Sequence, residues 1–273
     1  MDYQTFQPHI DLSEFVKCFW TLNVPKEPNP QKQRIVPDGC IELIFTLGDD
    51  VKRFVSERKH IIQPRSMVLG QITEPFYIEP MGVVDVFAIR FFPGGFIPFT
   101  TGSIKDLENK ETALEVLFGK NEATALEYKI IHAANTEERV QHSEAFLFAK
   151  LKDSIIFDNI VKSTIDLIFS TKGRLSIHEL LKNDLSKRRQ LERNFSKSVG
   201  LGPKQFARII RFQTALKMLL NNEKGNLTNL AYENEYYDQA HFIKDFKKFT
   251  GINPHKFFTK DELILSSTFY TKD

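Results

Sequence analysis

The order of apolar and polar positions divides the chain into a strand-rich part and a helix-rich part. Between Phe15 and about Phe99, short apolar or alternating runs are separated by turn signals such as Pro37-Asp38-Gly39 and Pro93-Gly94-Gly95, as is typical of antiparallel strands. The predicted strands cover 16–24, 40–47, 67–69, 76–78 and 83–92. This pattern predicts a β-sandwich or a small, cupin-like barrel.

After Gly102 the apolar residues take the spacing of helices. Helices are predicted over 112–118, 123–132 and 139–151 as a layer on the β-rich part, with Asn135 at the start of the third. A further helix over 155–169 ends at Lys172-Gly173. The sequence therefore predicts a multi-domain protein. A β-rich domain with a helical connection covers 1–154, and an all-α domain covers 155–273.

One pattern occurs twice in the helical part, 51 residues apart. The first copy is Leu191, Phe195, Gly200, Pro203 and Phe206, and the second is Phe242, Phe246, Gly251, Pro254 and Phe257. In each copy the apolar pair predicts one buried helix face, and Pro suits the first position of the next helix. The repeat predicts one structural unit used twice, joined by a helix over 206–220.

Each unit has the spacing of a helix-turn-helix. In the first, Ile177, Leu180 and Leu181 predict the scaffolding helix. In the second, Leu227, Leu230 and Ala231 have that role, and Asp238 is the predicted N-cap of the following helix. The second helix of such a unit places its leading end in the major groove of DNA. Two units on one spacer suit successive grooves, about 34 Å apart.

The charge distribution agrees with a polyanionic partner for the helical part only. Residues 171–260 contain 18 Lys and Arg against 8 Asp and Glu, whereas residues 1–170 contain 18 against 24. The overall charge of +2 conceals this asymmetry. Solvation of ordinary helix surfaces is the alternative explanation of the basic residues.

Residues 170–260 resemble the DNA-binding domain of the AraC/XylS family of bacterial transcription regulators. The resemblance is carried by Asp238-Gln239-Ala240-His241-Phe242, Thr250-Gly251-Ile252 and Pro254 in the second unit, and by Arg189, Leu191, Arg193, Phe195, Gly200 and Pro203 in the first. The amino-terminal part, through residues 34–45 and 90–95, resembles uncharacterised β-rich domains fused to such regulators. The resemblance implies a sequence-specific transcription regulator that binds double-stranded DNA and is not an enzyme. It also implies that residues 1–154 are a sensing or dimerisation domain and that residues 155–273 bind DNA.

The predicted DNA-binding residues lie on the second helix of each unit: Lys187, Arg188, Arg189, Gln190, Arg193, Lys197, Gln239, Ala240, His241, Lys244 and Lys247. Arg189, Arg193, Gln239 and Lys244 are the candidates for base or groove contacts, and the family implies a phosphate contact for His241. Whether the first unit reads bases or only anchors phosphates remains open at this stage.

A small-molecule effector is expected in the β-rich domain, and six residues are candidates to bind it: Trp20, Asp38, Cys40, Glu42, Arg65 and Arg90. Each has an alternative structural role. Asp38 can close its turn, and Arg90, in an apolar strand, can pair with Glu42 or Asp85.

No cofactor or metal is expected, because the β-rich segment offers only His9 and His60 as imidazole ligands. The two cysteines, Cys18 and Cys40, are expected to be reduced. The sequence has no long apolar run and no secretion signal at its start, which favours a cytoplasmic protein without a membrane partner. RNA polymerase and a second copy of the chain are further candidate partners. The competing hypothesis is a ligand-binding or enzymatic barrel whose helical tail serves assembly only.

Overall fold

The computed structural model describes residues 1–151, 158–174, 185–221, 236 and 238–254. Within these ranges, ten strands form two antiparallel sheets. The strands are β1 Asp2–Phe6, β2 Val16–Val24, β3 Gln33–Ile35, β4 Ile41–Thr46, β5 Val51–Phe54, β6 His60–Ile62, β7 Ser66–Leu69, β8 Phe76–Pro80, β9 Val84–Phe91 and β10 Glu111–Ala113. The larger sheet has the order β1-β2-β9-β4-β7-β10, and the smaller has the order β3-β8-β5-β6.

Strand β9 is central to the larger sheet and is covered on both faces. Phe87, Ile89 and Phe91 pack with the helical layer on one face, while Val84 and Ala88 lie on the other with Trp20. Because both faces are buried, the strand reads as a nearly continuous apolar run rather than a strict alternation.

Three helices cover the outer face of the larger sheet: α1 Leu114–Phe118, α2 Lys120–His132 and α3 Thr136–Lys150. Leu126, Ile130 and Leu147 complete the core with that face. Helix α3 begins as predicted, since the Asn135 side chain accepts a hydrogen bond from the amide of Glu138.

The carboxyl-terminal part contributes four described helices: α4 Asn159–Ser170, α5 Leu185–Val199, α6 Pro203–Leu220 and α7 Gln239–Thr250. Helix α6 lies at the centre, and α4, α5 and α7 all pack on it around Phe195, Phe206, Phe212 and Phe246. Gly200 and Gly251 follow α5 and α7 with φ of 91° and 76°, which is the left-handed conformation of helix C-termini. The repeated glycine of the sequence is therefore the repeated end of a helix.

The structure confirms the two-part architecture and the five predicted strands, and it corrects two details. Residues 112 and 113, predicted to begin a helix, belong to β10, because they pair with Val68 and Met67 at the edge of the larger sheet. The helical spacing of Phe242, Phe246 and Phe249 predicts an outward position for Ile243, which instead packs partly against the helical core. The residues predicted to form the two scaffolding helices lie outside the described residues: Ile177, Leu180, Leu181, Leu227, Leu230 and Ala231. The predicted start of the 155–169 helix lies outside them as well.

Candidate nucleic-acid interface and interdomain cleft

Helix α5 presents a cationic face to solvent. Its core side is fixed by Leu191 and Phe195, both fully buried. The outward face carries the predicted contacts Arg188, Arg189, Gln190, Arg193 and Lys197, all exposed. Arg188 is the one among them that pairs within the described residues, at 3.0 Å between Nε and Glu192 Oε1. The side chain of Lys187 lies outside the described part.

Helix α7 repeats this arrangement. Asp238 caps it, its carboxylate accepting a hydrogen bond from the amide of His241 at 2.7 Å, as the sequence predicts. Phe242, Phe246 and Phe249 are fully buried. On the opposite side Ala240, Lys244 and Lys247 are exposed, and Gln239 and His241 are half-buried at the leading end.

A buried carboxylate fastens α7 to α6. Asp245 is 1% exposed, and its oxygens accept from Arg208 Nη2 at 2.5 Å and Arg208 Nε at 3.2 Å. Arg211 approaches the same carboxylate at 3.9 Å. The hydrogen bond to Asp245 raises the pKa of Arg208. This bidentate geometry fixes distance and rotation together, so it determines how α7 is set on α6.

The same cluster orients the start of the helix. The His241 ring lies edge-on to Tyr236 with centroids 5.4 Å apart, and His241 Nε2 is 3.9 Å from Asp245. Tyr236 also lies under the Arg211 guanidinium, 4.5 Å from its ring centroid. Burial raises the pKa of the Tyr236 hydroxyl, which remains protonated and neutral at physiological pH. His241 is therefore held between Tyr236 and Asp245. It lies at the amino-terminal end of α7, which is the end that would enter a DNA groove.

In the β-rich domain, four of the six predicted effector residues form one polar cluster. Glu42 Oε1 accepts from Trp20 Nε1 at 3.0 Å and from Arg90 Nε at 2.7 Å. Arg90 Nη2 is also 3.5 Å from Asp38. Arg90 thus pairs with Glu42 and Asp38, and the alternative partner Asp85 is not used. Burial raises the pKa of Glu42 against the opposing effect of Arg90, and burial also raises the pKa of the Cys40 thiol.

This cluster lies where two cavities adjoin. An inner cavity of about 120 Å³ lies between the sheets, walled by apolar side chains such as Ile44, Met67 and Phe76. A larger cleft of about 530 Å³ separates the β-rich domain from α4 and α6. Asp38, Cys40 and Arg90 line both.

The cleft combines apolar walls with cations. Phe15, Phe92, Phe169 and Ile210 supply apolar surface, and Lys162, Lys172 and Lys217 supply charge. Lys162 is paired with Glu14 at 3.3 Å. Lys172 and Lys217 have no carboxylate partner among the described residues. Sequence reasoning missed the helical side of this cleft, because its residues on α4 and α6 are far in the chain from Asp38, Cys40 and Arg90 and meet them only when the domains pack together.

Arg65, the sixth candidate, lies apart from both cavities. Its Nη1 pairs with Asp50 at 2.7 Å and its Nη2 donates to the carbonyl of Gly48 at 2.5 Å, both at the surface. The side chain closes the loop after β4, because the backbone carbonyls there lack strand partners. Arg65 therefore lies at a surface loop and lines neither cavity.

Sequence reasoning also missed Asp245, Arg208 and Arg211. A signal was present, since an acidic residue among Phe242, Phe246 and Phe249 falls on the buried face of a basic helix. Within the described ranges no group of three His, Cys, Asp or Glu side chains is placed to hold a metal ion. None of the described helices is long and apolar enough to span a membrane.

Comparison with known proteins supports both halves of this description. Residues 186–260 match the family described as a helix-turn-helix domain, and residues 4–113 match a domain of unknown function, DUF6597. No protein with a curated description matches the chain.

Among solved structures, the 1.65 Å structure of ToxT from Vibrio cholerae is similar over 88% of this chain and 98% of its own, with 14% identity and a TM-score of 0.47. A structure of ToxT from Vibrio cholerae strain SCE256 with a bound unsaturated fatty acid covers 87% and 92%, with 12% identity and a TM-score of 0.42.

A duplicated unit with exposed cationic second helices, over a region that matches a helix-turn-helix domain, defines a DNA-binding transcription regulator. More particularly, the chain joins a region that matches a DUF6597 domain to a carboxyl-terminal region that matches a helix-turn-helix domain.

Proposed function

We propose that α5 and α7 are the two recognition helices of this regulator and enter successive major grooves of one DNA duplex. The observation that carries the proposal is their repeated geometry. Each helix has one buried aromatic or aliphatic side, one exposed cationic side, and a left-handed glycine at its end. Arg189, Arg193, Gln239 and Lys244 are proposed to reach base edges, and Lys187, Arg188, Gln190, Lys197, Ala240, His241 and Lys247 to contact the backbone or groove walls.

The test is operator affinity of the full chain, with the operator obtained by selection from random duplex DNA. Arg193→Ala and Lys244→Ala should each weaken binding by about 1 to 3 kcal/mol without loss of folding. Lys129→Ala is a matched control, since Lys129 is an exposed lysine on α2, outside the proposed interface. Unchanged affinity in both test variants would overturn the assignment, and absence of any DNA complex would favour the rival barrel with an assembly tail.

The first unit differs in one respect that bears on its role. Arg188 is engaged by Glu192 on its own helix, which partly neutralises the leading turn of α5, whereas Lys244 and Lys247 of α7 have no carboxylate partner within the described residues. We propose that α7 contributes more of the sequence selectivity and α5 more of the phosphate anchoring. In a panel of single-base operator changes, Lys197→Ala should then lower all affinities by similar factors, whereas Lys244→Ala should relax preference at one position.

We further propose that a small molecule with an apolar body and a polar end controls DNA binding from the cavities around Asp38, Cys40 and Arg90, with Trp20 and Glu42 as the other polar contacts. The support is a cluster of charged side chains, 5% to 19% exposed, at the junction of two cavities with apolar walls. An occupant of the cleft would contact α4 and α6 and could favour one arrangement of the two domains.

Filling the cleft tests this proposal. Thr214 lies on α6 in the wall of the cleft, so Thr214→Trp should abolish the response of operator affinity to fractionated metabolite extract while DNA binding persists. Ser163→Trp adds the same side chain on the exposed side of α4 and should leave the response intact. An equal response in both variants would place the effector elsewhere.

A second copy of the chain and RNA polymerase are proposed as protein partners, acting in the bacterial cytoplasm where DNA is accessible. The support for self-association is exposed apolar surface on the helical layer, at Val116, Tyr128 and Ile131. Light scattering tests self-association by measuring the molar mass of the wild-type chain, with Tyr128→Lys as the test variant. A wild-type chain that is monomeric at all concentrations contradicts the dimer.

A further inference from the structure

Both candidate recognition helices end against the β-rich domain. At Gly200, which follows α5, an added Cβ would lie 3.1 Å from Ile104 and 3.2 Å from Gln71. At Gly251, which follows α7, an added Cβ would lie 3.5 Å from Pro75 and 3.9 Å from the Tyr77 hydroxyl. The equivalent points of the two repeated units thus contact the same domain.

Helix α6, which joins the two units, contacts that domain as well. Gly39 has φ of 82°, and a Cβ there would lie 3.0 Å from Phe206 and 3.3 Å from Ile210. Gln213 Nε2 donates to the carbonyl of Pro37 at 2.5 Å. Val36 is fully buried in the helical core itself. The turn between β3 and β4 is therefore packed into the centre of the helical domain.

Apart from Ile104, these contact points lie in two segments of the β-rich domain, residues 36–39 and 71–77, which we call the platform. Its two segments are joined by Gln71, whose Nε2 donates to the carbonyl of Gly39 at 2.8 Å. Gln71 is fully buried, and its Oε1 accepts no hydrogen bond within the described residues. An unpaired buried carbonyl is unfavourable, so packing alone does not explain why an amide side chain occupies this position. The hydrogen bond from Gln71 Nε2 to the Gly39 carbonyl explains it.

We propose that the platform sets the spacing and angle between the two recognition helices, with Gln71 and Gln213 as positioning residues. This inference rests on the proposed function, in which α5 and α7 both read DNA. The platform holds the trailing ends of the helices, while the leading ends meet the grooves. A helix of 15 residues is a lever of about 22 Å. A tilt of about 10° at its fixed end moves the leading end by roughly 4 Å, on the order of one base-pair step.

The platform also adjoins the cavities. Asp38, in its first segment, pairs with Arg90, and its Oδ1 accepts from the amide of Cys40 at 3.0 Å. Both Asp38 and Cys40 line the cleft and the inner cavity. A bound molecule that displaced Arg90 from Asp38 would therefore move the turn that contacts Phe206 and Ile210. Because these two residues lie on α6, the movement would reach both recognition helices.

The experiment measures tolerance to half-site spacing in the full chain. Operators selected for tight binding are altered by inserting or deleting one or two base pairs between the two half-sites. For the wild-type protein we expect the affinity for the altered operators to fall by about 100-fold. Two recognition helices held rigidly cannot both reach their half-sites once the spacing changes, so the second half-site no longer contributes to binding. In Gln71→Ala and Gln213→Ala the loss of affinity should shrink to about 10-fold or less, because the two recognition helices can then change their separation and angle.

Gln4→Ala is the control, since Gln4 lies on β1 and bonds to Asp2, away from the platform. Thermal unfolding verifies that each variant folds, and Gln71→Met and Gln213→Glu replace a variant that does not. A general loss of stability would lower affinity for all spacings equally and leave the ratio unchanged. An unchanged ratio in the variants, or a wild-type protein indifferent to spacing, overturns the inference while leaving DNA binding intact. Failure of the wild-type chain to bind any duplex overturns the proposed function as well.

Discussion

At the scale of single residues, the most consequential group is the carboxylate of Asp245. It is almost completely buried, and it is held by both nitrogens of one edge of Arg208. Removing one member of such a pair leaves the other charge without compensation. The residue thus connects the stability of the domain to the setting of the helix that carries Lys244.

Asp245→Asn should lower the free energy of unfolding by about 3 kcal/mol, since it leaves Arg208 and Arg211 facing a neutral amide. Urea unfolding followed by circular dichroism measures this change. Asp166→Asn, which removes a carboxylate from α4 at the cleft, should cost less than about 1 kcal/mol. Equal effects of the two substitutions would show that Asp245 has no special role.

The buried position of Glu42 predicts a pH effect on stability. Burial raises the pKa of Glu42 in the folded protein above its ordinary value of 4.5, so between these two values the folded state binds more protons than the unfolded state. Stability contributed by this group is therefore complete below pH 4.5 and is lost as pH rises through the folded pKa. Relative to Glu42→Gln, the wild-type protein should become progressively less stable from pH 4.5 upward. Parallel pH profiles of the two proteins would contradict this.

At the scale of elements, the caps of α7 show how local sequence and tertiary packing cooperate. The Asp238 carboxylate accepts a hydrogen bond from a backbone amide in the first turn, and Gly251 ends the helix. Both follow from residue type alone, because a short polar side chain and a left-handed glycine have few alternatives at these positions.

Asp238→Ala should therefore destabilise the protein by about 1 kcal/mol and weaken operator binding, because the first turn of α7 carries Gln239 and His241. Asp238→Ser retains a capping oxygen and should recover most of both losses. Thermal unfolding and a binding titration measure the two effects. Loss of binding in Asp238→Ser equal to that in Asp238→Ala would indicate a direct contact with DNA by the carboxylate.

The elements predicted from sequence share a strong local signal, and those that were missed lack one. Strands β2, β4 and β9 are buried runs of apolar residues, whereas β5, β6 and β10 are short and partly exposed, and depend on pairing with distant strands. The same distinction holds for the site. The basic face of α5 is a property of one segment, but the cleft and the platform exist only because Asp38 and Gln71 meet α6 and the end of α5.

At the scale of the whole molecule, the two domains differ in charge and share an extensive contact. The acidic domain packs against the ends and the back of the basic one, which leaves the cationic faces of α5 and α7 directed to solvent. Electrostatic attraction to DNA is therefore expected at the exposed faces of these two helices.

The salt dependence of operator binding should measure how many phosphates the cationic faces of α5 and α7 contact. The logarithm of the operator association constant should fall linearly with the logarithm of salt concentration, and Lys197→Ala together with Lys247→Ala should reduce the magnitude of the slope by about 2. A double control at Lys120 and Lys129, both exposed on α2, should leave the slope unchanged. Equal slopes in all three proteins would exclude phosphate contacts at Lys197 and Lys247.

The buried contact of Gly39 with Phe206 has a consequence for how such proteins can diversify. A gene fusion that brought a new ligand-binding module to this DNA reader would have to supply a small residue with a left-handed backbone at that turn, and a side chain that bonds it from the position of Gln71. Exchange of modules at a linker alone would join two halves whose surfaces do not fit. Inheritance of the pair as one unit is the simpler route.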